Sequence, residues 1–356
     1  MLNRKDDHIR LAQEQFHPSH FFDDEIEFVH QSLPLVHVDK ISSQQSVLGK
    51  KFAWPFFINA MTGGSSKTKR VNASLAQIAK DCNLAMAVGS MSPIFKDPSN
   101  KDSYTIVREV NPDGIIFSNL NLNYSPSQMQ EAVDLIEADA LQLHINAPQE
   151  LVMPEGDRDF SQWLKKIEAS VKQVKCPVII KEVGFGMSQE TIQQLLSVGV
   201  KAVDISGRGG TSFTRIEGAR RKQPLLSNWD NWGIPTPIAL LEARAAFQAS
   251  KKEGKITLIA SGGVQTPMDV AKCLALGADL VGLSGFFLQL VLDHTSKEAC
   301  RLTKAFQEEF LMIMALLACQ EIKDFSHSSL IFGDRILNWA KQRHLSLEEF
   351  STTKGR

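Results

Sequence analysis

The stretch 141-LQLHINAPQE-150 gathers an imidazole, amides and a carboxylate around one proline. Leu141, Leu143 and Ile145 alternate with Gln142, His144 and Asn146, the period of a strand with one apolar and one polar face. Pro148 breaks that strand and leaves Gln149 and Glu150 side by side in the turn that follows. Such groups can hold protons and orient a polar ligand. Taken alone, a strand histidine is more often a satisfied core residue, and a glutamate after a turn is more often a solvated one.

Lys181, in 178-VIIKEVG-184, is harder to assign to packing. It shares a strand face with Ile179 and Val183, and a lysine on an interior face must find an anion or lose its charge. Glu182 cannot serve easily, because the next residue on a strand points to the other face. Two glycine-rich turns, 260-ASGGVQTP-267 and 282-GLSGFF-287, offer backbone N–H groups that can approach an anion closely, and 206-SGRGGTSF-213 offers more.

The elements that must position these residues repeat along the chain. Eight β-rich runs occur: 56-FFINA-60, 84-LAMAVGS-90, 115-IIFSN-119, 141-LQLHIN-146, 178-VIIKEVG-184, 202-AVDISG-207, 256-ITLIASGG-263 and 280-LVGLSG-285. Between most of them lie residues at helical spacing, such as Val71, Leu75, Ile78 and Cys82, or Ile167, Val171 and Val174. Ser125-Pro126 and Thr266-Pro267 each supply an N-cap followed by proline at the first helical position. Strands separated by helices pair in parallel, so the expected fold class is α/β, a (β/α)8 TIM barrel with an N-terminal extension and C-terminal helices. An open doubly wound sheet is the rival, but its GxGxxG opening is absent. We expect a single domain, with residues 1–50 as the extension, 51–295 as the barrel and 296–356 as a helical tail that includes 301-RLTKAFQEEFLMIMALLA-318.

In such a barrel the active site lies where the strands end. Here those ends carry Asn59 and Thr62, Ser90, Asn119, His144 and Asn146, Lys181, Ser206 with Thr211, Gly262 and Gly263, and Ser284 with Gly285. A lone serine or asparagine at such a place often only begins a turn. Glycine turns after strands seven and eight are where barrels commonly hold a phosphate, and a lysine across the mouth would suit an electron-rich group. Flavin mononucleotide meets that description; pyridoxal phosphate, with Lys181 as its Schiff base, meets it too.

Composition narrows the partners. Lysines and arginines (39) nearly balance aspartates and glutamates (40) among 356 residues, so a net charge of -1 gives no case for binding nucleic acid or an acidic membrane. Cys82, Cys176, Cys273, Cys300 and Cys319 lie far apart without a CxxC pair, against a disulfide framework or structural zinc. MLNRKDDHIR lacks the apolar core of a signal peptide, and the apolar run from Leu311 to Cys319 is short of a membrane span. A cytoplasmic protein is expected.

In order along the chain, 4-RKDDHI-9, 58-INAMTGG-64, 87-AVGS-90, 116-IFSN-119, 142-QLHINAPQE-150, 152-VMPEGDR-158, 180-IKEVGFGMS-188, 206-SGRGGTSF-213, 231-NWGIPT-236 and 260-ASGG-263 resemble the type II isopentenyl-diphosphate isomerases. That flavin-dependent family interconverts isopentenyl and dimethylallyl diphosphate. The likeness runs almost end to end, whereas flavin barrels in general share only the phosphate turns. It implies a barrel that binds FMN and is active when the flavin is reduced, with Mg2+ assisting the diphosphate, NADPH as reductant and a homotetramer or homo-octamer as the assembly.

By the same resemblance, Ala60, Met61, Thr62, Ser90, Asn119, Lys181, Ser206, Thr211, Gly262, Gly263, Ser284 and Gly285 would line the flavin. Arg4, Lys5 and His8, with His144, Asn146 and Gln149, would hold a small-molecule diphosphate, and Glu150 would bind the metal. Gln149, Lys181 and His144 would be the catalytic side chains. On a helix Arg4 and His8 share a face at i, i+4 with Lys5 beside them, which suits a diphosphate. Magnesium needs only one or two carboxylates when water and phosphate complete its shell. Where flavin barrels often carry arginines after the glycines of strands seven and eight, this chain has Gln265 and Phe286, or Gly285 under a one-residue shift, so a phosphate would lean on backbone donors.

The implied reaction adds a proton to the terminal vinyl carbon and removes one from the methylene nearer the ester, by way of a tertiary carbocation or something near it. Ordinary side-chain acids at neutral pH protonate an alkene poorly, and water must be excluded. The expectation is therefore that the reduced flavin is the acid and base, that Gln149 positions or relays protons, and that Lys181 tunes the flavin's charge. Trp229 and Trp232 either pack or cap the apolar pocket. A flavin dehydrogenase or oxidase is the runner-up, although 260-ASGGVQTP-267 lacks the base and arginine such enzymes use. A flavin-binding scaffold without catalysis is opposed by Gln149, Glu150 and the basic N-terminus.

Overall fold

The computed structural model describes residues 4–14, 21–221, 229, 232–252 and 254–351. Eight parallel strands close into a barrel: β1 (Phe56–Ile58), β2 (Met86–Ala87), β3 (Ile116–Asn121), β4 (Ala140–His144), β5 (Val178–Lys181), β6 (Ala202–Asp204), β7 (Thr257–Ser261) and β8 (Leu280–Leu283). The ring closes between β8 and β1, with Val281 opposite Phe56. Every β-rich run of the sequence becomes a barrel strand, and the (β/α)8 expectation holds.

The crossover helices follow from local signals. In Ser66–Asp81 the spaced residues Val71, Leu75 and Ile78 are buried against the sheet. The helices Pro126–Leu135 and Pro267–Ala275 begin with reciprocal capping boxes, Ser125 with Gln128 and Thr266 with Asp269, as their sequences predict.

Strand alternation divides the barrel interior into layers. Phe57, Phe117, Ile179, Ile259 and Leu280 form an apolar layer with Ala140 and Ala202, joined by Val47 and Phe52 from the hairpin Gln45–Val47 and Lys50–Phe52. Two residues further along the same faces the layer turns polar, with Asn59, Asn119, Gln142, Lys181, Asp204 and Ser261 all buried. This polar layer is the floor of the mouth.

The tail departs from an all-helical expectation. The helix Ser296–Leu316 forms as its pattern predicts, but Leu330–Phe332 then pairs antiparallel with Ile26–Phe28 and so joins the tail to the extension. A strand of 3 residues carries too little alternation to show in a sequence. Beyond it, the helix Asp334–Arg343 is tied to Thr236–Ala249: buried Glu242 accepts from Trp339 Nε1 at 2.8 Å and Arg343 Nε at 2.9 Å. Burial alone would raise the Glu242 carboxyl, but the donors from Arg343 and Trp339 outweigh it and hold it below its ordinary value. Replacing Arg343 with methionine leaves that carboxylate short of its cation, and a loss of about 2–3 kcal/mol is expected in urea unfolding.

Candidate active site

A cavity of about 700 Å³ opens at the C-terminal ends of the strands, within the range of small-molecule sites. Ala60, Met61, Thr62, Ser90, Asn119, Lys181, Ser206, Thr211, Gly262, Gly263, Ser284 and Gly285, the residues expected at a cofactor, all line it. So do His8, His144, Asn146, Gln149 and Glu150. Arg4 and Lys5 open the helix Arg4–Glu14, but their side chains lie outside the described residues.

Lys181 finds its anion in Asp204, its neighbour in register on β6. Its Nζ lies 2.9 Å from Asp204 Oδ2 and 3.2 Å from Ser261 Oγ. Asp204 also accepts from Ser261 Oγ at 2.6 Å, Asn59 Nδ2 at 2.9 Å and the Ser206 N–H at 3.2 Å. Ser206 itself has a φ of +29°, beside the carboxylate that takes its N–H. The sequence reading demanded an anion for Lys181 without singling out Asp204, although 202-AVDISG-207 places an aspartate inside an apolar strand. Glu182 turns away as alternation requires: its Oε2 accepts from the N–H groups of Val183, Gly184 and Phe185 at 2.6, 2.8 and 2.6 Å. Burial nevertheless pushes its carboxyl up to about 8, against the pull of those donors.

A second polar cluster follows β4, the strand next to that of Lys181. Gln149 and Glu150 sit in a short helix, Ala147–Val152, where the sequence suggested a turn; Pro148 occupies its first turn, where a missing N–H costs nothing. Asn146 Nδ2 donates to Gln149 Oε1 at 3.1 Å and to Glu150 Oε1 at 2.8 Å, while the Asp157 N–H donates to Glu150 Oε2 at 2.9 Å. Gln149 Nε2 reaches Glu217 Oε1 at 3.3 Å, and the same oxygen lies 2.9 Å from His8 Nε2. Arg220 pairs with the other Glu217 oxygen. Glu217 was missed in the sequence. The available signal was its place four residues after Phe213 and next to Ile216, on the buried face of the helix Phe213–Arg221.

The walls suit a phosphate-bearing cofactor. Gly262 has a φ of +99°, and a Cβ there would sit 2.0 Å from the Gly207 carbonyl oxygen, so the turns after β6 and β7 pack backbone on backbone. The helix Gly285–Asp293 starts at Ser284 without a side-chain cap, beside the cavity, which leaves its first N–H groups for an anion. Thr62 lines the cavity with a buried hydroxyl that has no hydrogen-bond partner among the described residues. Gln265 and Phe286 supply no charge: the Gln265 N–H goes to Asp269, and Phe286 packs on Phe306 with ring centroids 4.9 Å apart. Trp229 and Trp232 pack on each other with centroids 5.9 Å apart, and neither is among the residues lining the cavity.

Residues 118–331 match the sequence pattern of the FMN-dependent dehydrogenase family. The isopentenyl-diphosphate delta-isomerase of Staphylococcus haemolyticus (strain JCSC1435) is 43% identical over 344 residues, 97% of each chain. That of Staphylococcus aureus (strain Newman) is 42% identical over the same share. The chain belongs to the isopentenyl-diphosphate delta-isomerase family. Solved structures relate this isomerase fold to oxidases. A mandelate oxidase with (S)-2-phenylpropionate superposes with a TM-score of 0.64 at 15% identity, covering 92% of this chain and 90% of that one. The flavin-binding domain of baker's yeast flavocytochrome b2 also gives 0.64, at 20% identity, covering 90% and 78%.

Within this isomerase-family site, Glu182 shapes the turn whose Val183 and Gly184 line the cavity. Its folded value of about 8 stands above the unfolded 4.5, so the unfolded chain loses the proton first as pH rises. Stability should fall between those values by up to about 1.4 kcal/mol per pH unit and be greatest below them. Glu182→Gln keeps an oxygen for the three N–H groups and should flatten that slope in urea titrations across the window.

Proposed function

We infer that this chain interconverts isopentenyl diphosphate and dimethylallyl diphosphate at reduced FMN. One observation carries the reading: a single cavity joins the Lys181 floor and the glycine turns to the cluster of His144, Asn146, Gln149 and Glu150, in a chain 43% identical to an isopentenyl-diphosphate delta-isomerase. The phosphate of FMN would lie on the backbone of Gly262, Gly263, Ser284 and Gly285, with Ala60, Met61, Thr62, Ser90, Asn119, Ser206 and Thr211 along the rest of the cofactor. Bound reduced FMN supplies a protonated ring nitrogen and an electron-rich face at which the alkene can gain and lose a proton.

The chain's own residues do the rest. Lys181, paired with Asp204, presents positive charge to the electron-rich end of the cofactor. Gln149, with its oxygen turned to Asn146 and its nitrogen to Glu217, orients the substrate and relays protons between the cavity and that carboxylate. His144 and Asn146 bind the diphosphate with His8, Arg4 and Lys5. Each Glu150 oxygen accepts one hydrogen bond and keeps a lone pair, which fits a magnesium ion completed by diphosphate and water. Among the described residues no three His, Cys, Asp or Glu side chains gather to hold a metal by themselves, so the protein's share in that shell is small. Met61, Ile216 and Leu288 line the cavity with apolar surface that keeps water from a tertiary cation.

NADPH as reductant, the cytoplasm as location and a homotetramer or homo-octamer as assembly complete the proposal. Exposed Leu33, Leu35 and Val38 support burial against another copy, and the pairing of Ile26–Phe28 with Leu330–Phe332 supports a single domain. Among the described residues no helix is long and apolar enough to cross a membrane.

The test is anaerobic incubation of the reduced, FMN-loaded protein with isopentenyl diphosphate and Mg2+. Allylic product without net flavin oxidation is expected. Turnover of a hydroxy acid with flavin reduction, and no allylic product, would establish a dehydrogenase instead. Lys181→Met, with FMN occupancy checked by absorbance, is expected to slow isomerisation about 100-fold; full activity with bound flavin would remove Lys181 from the mechanism.

A further inference from the structure

The hydrogen bonds behind the cavity run in one direction. The Ala60 N–H can only donate, and it meets Asn59 Oδ1 at 2.8 Å, so Asn59 turns its Nδ2 to Asp204 Oδ2 at 2.9 Å. Asn59 Oδ1 also accepts from Gln142 Nε2 at 2.9 Å, which leaves Gln142 Oε1 to accept from Asn119 Nδ2 at 3.0 Å. Asn119 therefore shows its Oδ1 to His144 Nδ1, 2.8 Å away. An amide oxygen carries no hydrogen, so the facing ring nitrogen must carry one. Asn59, Gln142 and Asn119 are buried, so inverting any amide would set donor against donor or acceptor against acceptor with no water to repair the loss.

With the Ala60 N–H at Asn59 Oδ1, Asp204 anchors this order. As an ionised carboxylate it can only accept, and Lys181, Ser261, Ser206 and Asn59 all donate to it. We propose that Asp204 is a positioning residue that fixes the tautomer of His144 from two strands away, acting through Asn59, Gln142 and Asn119. The ring is held as Nδ1–H, which makes Nε2 the nitrogen that exchanges hydrogen bonds or a proton with a substrate oxygen. The tautomer follows from the hydrogen bonds alone; only the identity of that oxygen rests on the function proposed above. The chain crosses from β4 to β3, back to β4, then over to β1 and β6, so its far end shares no sequence neighbourhood with His144.

Nitrogen-15 NMR of the full-length protein with labelled histidine reads the two ring nitrogens directly, and His144→Gln assigns the signal among the 9 histidines. In the neutral ring of the unsubstituted protein, Nδ1–H is expected to exceed Nε2–H by about tenfold or more. Gln142→Met cuts the chain in the middle while leaving Asp204 with Lys181. Asn119 can then turn over, and the ratio should fall at least about threefold, with FMN absorbance confirming a folded site. Asp204→Asn should lower it as well. Predominance of Nε2–H in the unsubstituted protein overturns the proposal, and so does an unchanged ratio in Gln142→Met, which decides the matter even if Asp204→Asn fails to fold. A failed isomerase assay would count against the proposed function and leave this measurement standing.

Discussion

A carboxylate with no path to water, Asp204, is the constraint on which the barrel mouth depends. An ionised group in that position is tolerable only if every oxygen is met by donors, and stripping one partner from a buried pair costs about 3–5 kcal/mol. The donors come from β1, β5, the turn after β6, and β7, through Asn59, Lys181, Ser206 and Ser261. Lys181 needs Asp204 as much as the reverse, because neither can keep its charge among Ile179, Ile259 and Phe57 alone. The polar floor is thus a mutual requirement, and the strand ends that carry it are held in one arrangement.

The sequence made the frame legible because the frame is local. Alternation of Leu141, Leu143 and Ile145, the proline-led helix starts at Ser125 and Thr266, and the glycine pairs all express rules that act within a few residues. Lys181 was legible as an anomaly, a charge on an apolar strand. Its partner was not, since Asn59, Lys181 and Asp204 meet only after the barrel closes and no spacing along the chain records that. Glu217 was hidden for the same reason: a glutamate in a basic helix reads as solvated until His8 and Gln149 are brought to it. The short paired strands of the termini left no periodicity to detect, and the backbone contact of Gly262 with Gly207 looked like room for a ligand when it is also room for a neighbouring turn.

Sharing a barrel with mandelate oxidase at a TM-score of 0.64 leaves the chemistry open, because a common fold hosts many unrelated activities. Side-chain charge is unevenly placed around this mouth. Gln265 and Phe286 leave the rims of β7 and β8 without side-chain cations, whereas Lys181 on the floor and Lys96 after β2 line the cavity.

Another buried carboxylate, Glu217, explains why a helix outside the barrel reaches the cavity. The helix Arg4–Glu14 contributes no strand, yet polar contacts help fix its place: Ser65 Oγ donates to Asp6 Oδ1 at 2.7 Å, His8 Nε2 reaches Glu217 at 2.9 Å, and Gln13 Nε2 donates to Asp293 Oδ1 at 3.1 Å. Ser65 is also the N-cap of the helix that follows β1, so the same hydroxyl that starts a barrel crossover receives the N-terminal helix. Glu217 in turn holds Gln149, which shares the Asn146 amide with Glu150. Position therefore passes from the barrel wall to the N-terminal helix and back to Gln149 and Glu150 at the cavity.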